Sequence, residues 1–316
     1  MKFLVFGFSV TAETPGYVER CAEAWRMHHP GDEVIKVGIG GLQPNHARHL
    51  IAAFIALHRP DALVLEFSTA AYRLQEPSAY RRKDQAATIG SVFRLCHENG
   101  LRCGILDLPL AGLDPAQDWV GEVNAEMCLR HAVPRRQRDF MPETVWDNVH
   151  PNDLGKDLYA ETLRDLLEEV AVSTPDFSTL EDAPRYGAYS VTEVTVSGGY
   201  LREFSRHGYV SPMIAVPIGD MVKIRLPKPS AIVGMIVALG PKSGTMIWAY
   251  GGRQEAMSCY DGHCYYERVG GRTLPKAVTE GILVAQSAAM PTIELLKGVK
   301  DTGPRVGGLT HILYEE

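Results

Sequence analysis

The chain has 316 residues, 45% of them hydrophobic and 22% charged, and a formal net charge of −6. That composition belongs to a globular protein with ample length for a core, and the length suits two domains better than one. The balance is slightly acidic and the most basic cluster is the short Arg135-Arg136-Gln137-Arg138, so bulk charge speaks against a nucleic-acid partner, and no run reaches the ~18 apolar residues that span a bilayer.

In chain order, "FLVFGFS" (Phe3 to Ser9) is a continuous apolar run, as a strand covered on both faces requires. With Lys2 it imitates a short signal peptide, but the thin charged region favours a buried strand, and the absence of a convincing export signal suggests the cytoplasm. Thr14-Pro15 has the form of an N-cap and first helical residue, with Val18, Cys21, Ala22 and Trp25 at helical spacing before "HHPG". "EVIKVGI" predicts a second strand. A helix from about Pro44 to His58 follows, with Leu50, Ile51, Phe54 and Leu57 on one face. "ALVLEFS" predicts a third strand, Lys83 to Asn99 a helix closed by Gly100, "RCGILDLPL" a fourth strand, Pro115 to His131 a helix, and Ala132 to Phe140 a weak fifth strand. The segment after Pro151 predicts a last helix, opened by Pro151 at its first position, with Leu154, Leu158, Leu163 and Leu166-Leu167 inward. Strands alternating with helices mean a parallel sheet with helices on both faces, whose ligands bind outside the carboxyl ends of the strands.

Beyond about Val172 the pattern changes. A polar, proline-broken stretch (176–188) reads as a linker after a first domain of 1–175, and 189–316 is a succession of short β-like runs separated by Gly and Pro turns. These predict a mainly antiparallel, sandwich-like β domain. Of six cysteines, Cys21, Cys96, Cys103 and Cys128 sit in apolar, periodic contexts and read as buried thiols; Cys259 and Cys264 flank only His263, too little for a zinc site.

Several chemistry-bearing residues converge on strand ends. In "WDNVHPNDLG", Asp147 stands three residues before His150 at the mouth of a helix, the form of a base and its orienting carboxylate. Ser9 ends the first strand and needs such a base to become a nucleophile. Gly40-Gly41 follow the second strand and offer backbone N–H groups to an oxyanion. Other residues have plainer readings: Glu66 as a structural hydrogen-bonding group; Asn45, His46 and His49 as capping and solvated residues, with His46 a candidate for the pocket wall; Asp107 as a turn residue; Tyr72 and Arg73 as contacts for a polar or anionic substrate group. Trp248, Tyr250, Tyr260, Tyr265 and Tyr266 read as sandwich core, with a sugar-stacking platform the alternative.

The order of Ser9 at the first strand, Gly41 after the second, and Asp147-x-x-His150-Pro151 before the last helix resembles the SGNH (GDSL-like) hydrolases over roughly Met1 to Ala171. The resemblance implies a flavodoxin-like sheet of order 2-1-3-4-5 and a Ser9–His150–Asp147 triad. It also implies an oxyanion hole that includes the Ser9 and Gly41 backbones, ester substrates that are frequently acetylated sugars, and no metal or organic cofactor. Two departures stand out. Phe8 occupies a position where the family usually has Asp or Asn. The third block, "LEFSTAAYR", has Ala70 at the position of the family's oxyanion Asn, which leaves the Thr69 hydroxyl as candidate third donor. The function expected is a serine esterase acting on a small-molecule or saccharide ester. The alternatives are an acyltransferase using the same acyl-enzyme, or a non-enzymatic carbohydrate-binding protein on a decayed hydrolase domain. Sequence leaves the oligomeric state open.

Overall fold

The structure, a computed structural model, describes residues 1–70, 73, 79–180, 183–261, 266–286, 293–294, 300–301 and 305–316. Tyr72, His263, Cys264 and Tyr265 lie outside the described residues. The chain divides into two compact units, Met1–Pro184 and Arg185–Glu316.

The first unit is a five-stranded, wholly parallel sheet built from β1 (Lys2–Gly7), β2 (Glu33–Gly38), β3 (Ala62–Glu66), β4 (Arg102–Asp107) and β5 (Arg135–Gln137), in the order β2-β1-β3-β4-β5. Its helices are α1 (Ser9–Ala12), α2 (Tyr17–His28), α3 (Pro44–Ala47), α4 (Ile51–His58), α5 (Ala79–Glu98), α6 (Trp119–Arg130) and α7 (Asp153–Val172). Residues from both pleats of β1, Phe3 to Phe6, are completely buried, which explains why that strand reads as a continuous apolar run. Phe3, Val5, Trp25, Val64, Leu163 and Leu166 belong to one core cluster in which the inner faces of α2 and α7 cover one side of the sheet.

Four local readings are corrected. Thr14-Pro15 does not cap α2. The Thr14 hydroxyl instead accepts from Lys36 (2.7 Å), and Gly16 is the N-cap, with Glu19 returning to its N–H at 3.0 Å. The helix expected from Pro44 to His58 is two pieces, and Leu57 at its end is 71% exposed. Pro151 does not begin α7; it bridges to Val145, and Asn152 caps the helix by accepting from the Gly155 N–H at 3.1 Å. Leu154, on the outer side of that first turn, is 49% exposed.

The carboxyl ends of the strands are cross-linked by buried polar groups. Glu66, at the end of β3, accepts from the Ser68 hydroxyl (3.1 Å), the Thr69 N–H (3.0 Å) and hydroxyl (3.1 Å), and the Thr11 hydroxyl (3.2 Å) of α1. The Ser68 oxygen in turn accepts from the Leu108 N–H at 2.7 Å, beyond β4. Asp107 is more than a turn residue: fully buried, it accepts from Asn124 (2.8 Å) and Arg135 (2.6 Å). Arg73, expected to meet substrate, is 3% exposed. It pairs with both carboxylate oxygens of Asp118 and donates to the Ser68 (3.0 Å) and Leu108 (2.8 Å) carbonyls. Asp118 also caps α6 by accepting from the Gly121 N–H at 2.9 Å.

The segment after α7 adds Phe177 and Leu180 to the core of the first unit, Phe177 against Phe93. The second unit comprises β6 (Tyr186–Ser190), β7 (Thr195–Ser197), β8 (Tyr200–Arg206), β9 (Tyr209–Pro217), β10 (Met221–Leu239), β11 (Thr245–Tyr250), β12 (Arg253–Ser258), β13 (Arg268–Gln286), β14 (Ile293–Glu294), β15 (Lys300–Asp301) and β16 (Val306–Glu315). Nine of these form an antiparallel sheet along β12-β11-β13-β10-β16-β9-β8, with β6 on β16 and β7 on β10, and β14 pairs with β15. The long β10 shifts register between Arg225 and Ser230, where Pro227 and Pro229 lack the N–H a regular ladder needs. Trp248 and Tyr250 are core, as expected; Tyr266 is 37% exposed under the Arg206 guanidinium.

Burial pushes the Asp118 carboxyl upward, and Arg73 and the Gly121 N–H more than reverse this, so it lies below the usual carboxylate range. Such a group contributes stability above its unfolded value of about 3.9, lost as pH falls through the lower folded one. Arg73→Met leaves the buried Asp118 carboxylate with no cation and only the Gly121 N–H, and two carbonyls without the donors Arg73 gives them, and urea unfolding at pH 7 is expected to show a loss of about 3–5 kcal/mol. The gap to wild type should narrow below about pH 4; a small gap that is flat with pH would contradict this pairing.

Candidate active site

β1 ends at Gly7, and the chain turns at once into α1, whose first residue is Ser9. The turn is tight because α1 sits against β2: a Cβ on Gly38 would fall 2.4 Å from the Ala12 backbone. Phe8, the residue that departs from the family pattern, is buried and stacked on Phe67, with ring centroids 5.3 Å apart. An apolar contact therefore joins the tips of β1 and β3 where the usual residue is polar. After β2, Gly40 lies beside Ser9, at a distance where a Cβ would make ordinary contact (3.6 Å) with the Ser9 Cα and Cβ. Gly41 has φ of 94°, a conformation that costs a side-chain-bearing residue and that sets the direction of its N–H.

The loop between β5 and α7 carries the other two residues. Val145 and Pro151 form an antiparallel bridge, and the Trp146 N–H donates to the His150 carbonyl at 3.1 Å, closing a small hairpin around Asp147. One Asp147 oxygen accepts from the backbone N–H groups of Val149 (2.8 Å) and His150 (2.7 Å); the other lies 2.7 Å from His150 Nδ1. The Ala111 N–H, beyond β4, donates to the Asn148 carbonyl at 2.8 Å and ties the hairpin tip down. Partial burial pushes the Asp147 carboxyl upward, but the two N–H groups and the His150 ring hold it below its ordinary value. It is thus an anion fixed by backbone, and its second oxygen selects the tautomer that keeps the proton on Nδ1 and the lone pair on Nε2.

The structure brings Asp147 and His150 together, and brings Ser9 beside Gly40. Among the described residues no hydrogen bond joins the Ser9 hydroxyl to the His150 ring. The segments that carry them are coupled instead by the ion pair between Glu13, just after α1, and Lys156, in the first turn of α7 (3.4 Å).

Thr69, the candidate third oxyanion donor, makes two hydrogen bonds to Glu66. Its hydroxyl has a single hydrogen and directs it to Glu66, as does its backbone N–H. Ala70, buried behind it, has no side-chain donor. His46 is nearly buried on α3. Trp146, beside His150 in the quoted block, carried no sequence signal, since periodicity and spacing give no weight to an isolated loop aromatic. Its indole stacks on the His150 ring at 5.3 Å and 18°.

No family model matches the sequence, and no curated protein matches it at a significant level. Solved structures do match. A two-domain esterase (CEX) active on acetylated mannans, co-crystallized with mannopentaose, matches with a TM-score of 0.72 and 13% identity. That match covers 100% of this chain and 90% of that one. A second structure of such an esterase gives a TM-score of 0.70 at 13% identity, over 100% and 91% of the two chains. An acetyl xylan esterase, AlAXEase, matches 52% of this chain and 98% of its own, at 16% identity and a TM-score of 0.44. The chain has the fold of that two-domain esterase: a parallel α/β domain followed by an antiparallel β domain.

Proposed function

We propose that the protein is a serine esterase that removes an acyl group from an acylated carbohydrate. The observation that carries this reading is the Asp147–His150 pair: a carboxylate locked by two backbone N–H groups, 2.7 Å from Nδ1, leaving Nε2 as the free base. The fold shared with an esterase active on acetylated mannans supports the ester and the saccharide.

In this mechanism His150 Nε2 takes the proton of the Ser9 hydroxyl as Oγ attacks the ester carbonyl. Catalytic hydrogen bonds of this kind are often long in a free enzyme and tighten around substrate. The carbonyl oxygen gains the charge, and the Ser9 and Gly41 backbone N–H groups receive it, preorganised by the α1 turn and the positive φ of Gly41. Asp147 stabilises the imidazolium. Collapse breaks the bond to the alcohol, whose oxygen takes the proton from Nε2, and leaves an acyl-Ser9. Water then repeats the sequence: it gives a proton to Nε2 and attacks the acyl carbon, and as the bond to Ser9 Oγ breaks Nε2 returns that proton to Oγ, releasing the acid and regenerating Ser9.

Two outcomes test this. A fluorophosphonate is expected to label the protein once, with the mass adduct on Ser9, and Ser9→Ala should lose both the adduct and the hydrolysis of p-nitrophenyl acetate. A folded wild-type protein with no adduct on Ser9 would sink the proposal. Asp147→Asn preserves shape but inverts the tautomer preference, so kcat should fall by up to ~10⁴-fold, the size of the effect when the triad carboxylate is neutralised in a serine protease. Because Asp147 is held ionised below its ordinary range, lowering the pH toward 5 should not bring wild-type kcat down to the variant's level through loss of that anion.

A further inference from the structure

The structure assigns Trp146 a role that rests on the esterase reading and extends it: we infer that its indole is the platform on which the alcohol portion of the ester, a pyranose ring, stacks during cleavage.

Trp146 is 66% exposed, although a large aromatic ring normally gains by burial. It is nevertheless held in place. Its backbone N–H donates to the His150 carbonyl at 3.1 Å, its neighbour Val145 bridges to Pro151, and its ring lies 18° from parallel to the His150 ring, with centroids 5.3 Å apart. The indole is thus an open apolar surface, rigidly indexed to the imidazole.

The chemistry at the imidazole says which part of the substrate comes there. His150 Nδ1 is committed to Asp147, so Nε2 handles both protons. The acyl carbon is bonded to Ser9 and its oxygen faces the backbone donors. The alcohol oxygen must approach Nε2 in the imidazole plane to receive its proton, so the alcohol portion comes to the edge of that ring, and the exposed aromatic side chain stacked beside it is Trp146. An aromatic face is electron-rich and attracts the slightly positive C–H bonds that a pyranose directs from one face. A short alkyl alcohol has too little surface to cover the indole. Trp146 therefore selects the leaving alcohol and is indifferent to the acyl group.

The test compares two esters that share the acetyl group and differ only in the alcohol: an acetylated mannooligosaccharide and ethyl acetate. For Trp146→Ala, kcat/KM on the acetylated oligosaccharide should fall by about tenfold, the lower end of what an apolar substrate contact decides. On ethyl acetate it should stay within about twofold, and Trp146→Phe should recover most of the difference. An equal loss on both esters would overturn the inference and make Trp146 a brace for His150; no loss on either would reduce it to an ordinary surface residue. Fluorophosphonate labelling of Ser9 separates this from the reading beneath it. An unlabelled wild type removes the esterase itself, whereas a labelled Trp146→Ala with an unchanged ratio of the two esters removes the platform alone.

Discussion

The first unit depends on how a carboxyl at the end of β3 is kept without water. Glu66 is fully buried, and burial raises its pKa because the charged form is the one that loses solvation. Four hydrogen bonds from Thr69, Ser68 and Thr11 oppose that shift. The donors come from two different elements: Ser68 and Thr69 from the turn after β3, Thr11 from the helix that begins with Ser9. Tyr17 extends the chain, its hydroxyl 2.9 Å from the Thr11 oxygen. The Thr11 hydroxyl that helps satisfy Glu66 therefore ties the turn that carries Ser9 to the end of β3. A buried acceptor stripped of donors costs more than the bonds contribute in isolation, so the arrangement holds as a unit.

A second layer of the same kind lies one strand further on. Arg73 reaches the Ser68 and Leu108 carbonyls while pairing with Asp118, and Asp107 is held between Asn124 and Arg135. Irregular backbone at a sheet's end has carbonyls that no ladder satisfies, and here the Arg73 guanidinium supplies the donors. The hairpin with Asp147 and His150 is attached to this scaffold through the Ala111 N–H. Backbone hydrogen bonds close it, and Val149 packs it against the core, while Trp146 at its other side stays exposed.

Much of this organisation was legible in the sequence. Strands β1, β3 and β4 announced themselves as apolar runs because both faces of a parallel sheet are covered, whereas the edge strand β5 is Arg135-Arg136-Gln137 and gave only a weak signal. Asp147-x-x-His150 announced itself because a three-residue spacing lets a side chain reach both the following N–H groups and the ring. What was not legible has a common cause. Leu57 and Leu154 obey helical periodicity at helix ends where no partner covers them, so spacing overstates the core. The strand-end position of Arg73 invites a ligand, yet its donors are consumed inside the protein. A one-dimensional pattern shows which groups can donate; only the fold shows which acceptor lies nearer.

The two departures from the family pattern are linked physically. Phe8 and Phe67 stack where a polar residue would otherwise follow the first strand, and Thr69 turns its hydroxyl inward to Glu66 while Ala70 offers none. Both changes withdraw polar side chains from the strand tips and leave the candidate oxyanion position to backbone N–H groups. Backbone donors are the better preorganised kind, since they have no rotamer to lose, but there are fewer of them. A site that gives up a side-chain donor loses transition-state stabilisation at the acyl end, and contact at the alcohol end can offset that loss only if it strengthens as the bond breaks. In the proposed mechanism the alcohol moves toward the imidazole as it takes its proton, and the ring stacked on that imidazole is the aromatic surface beside it.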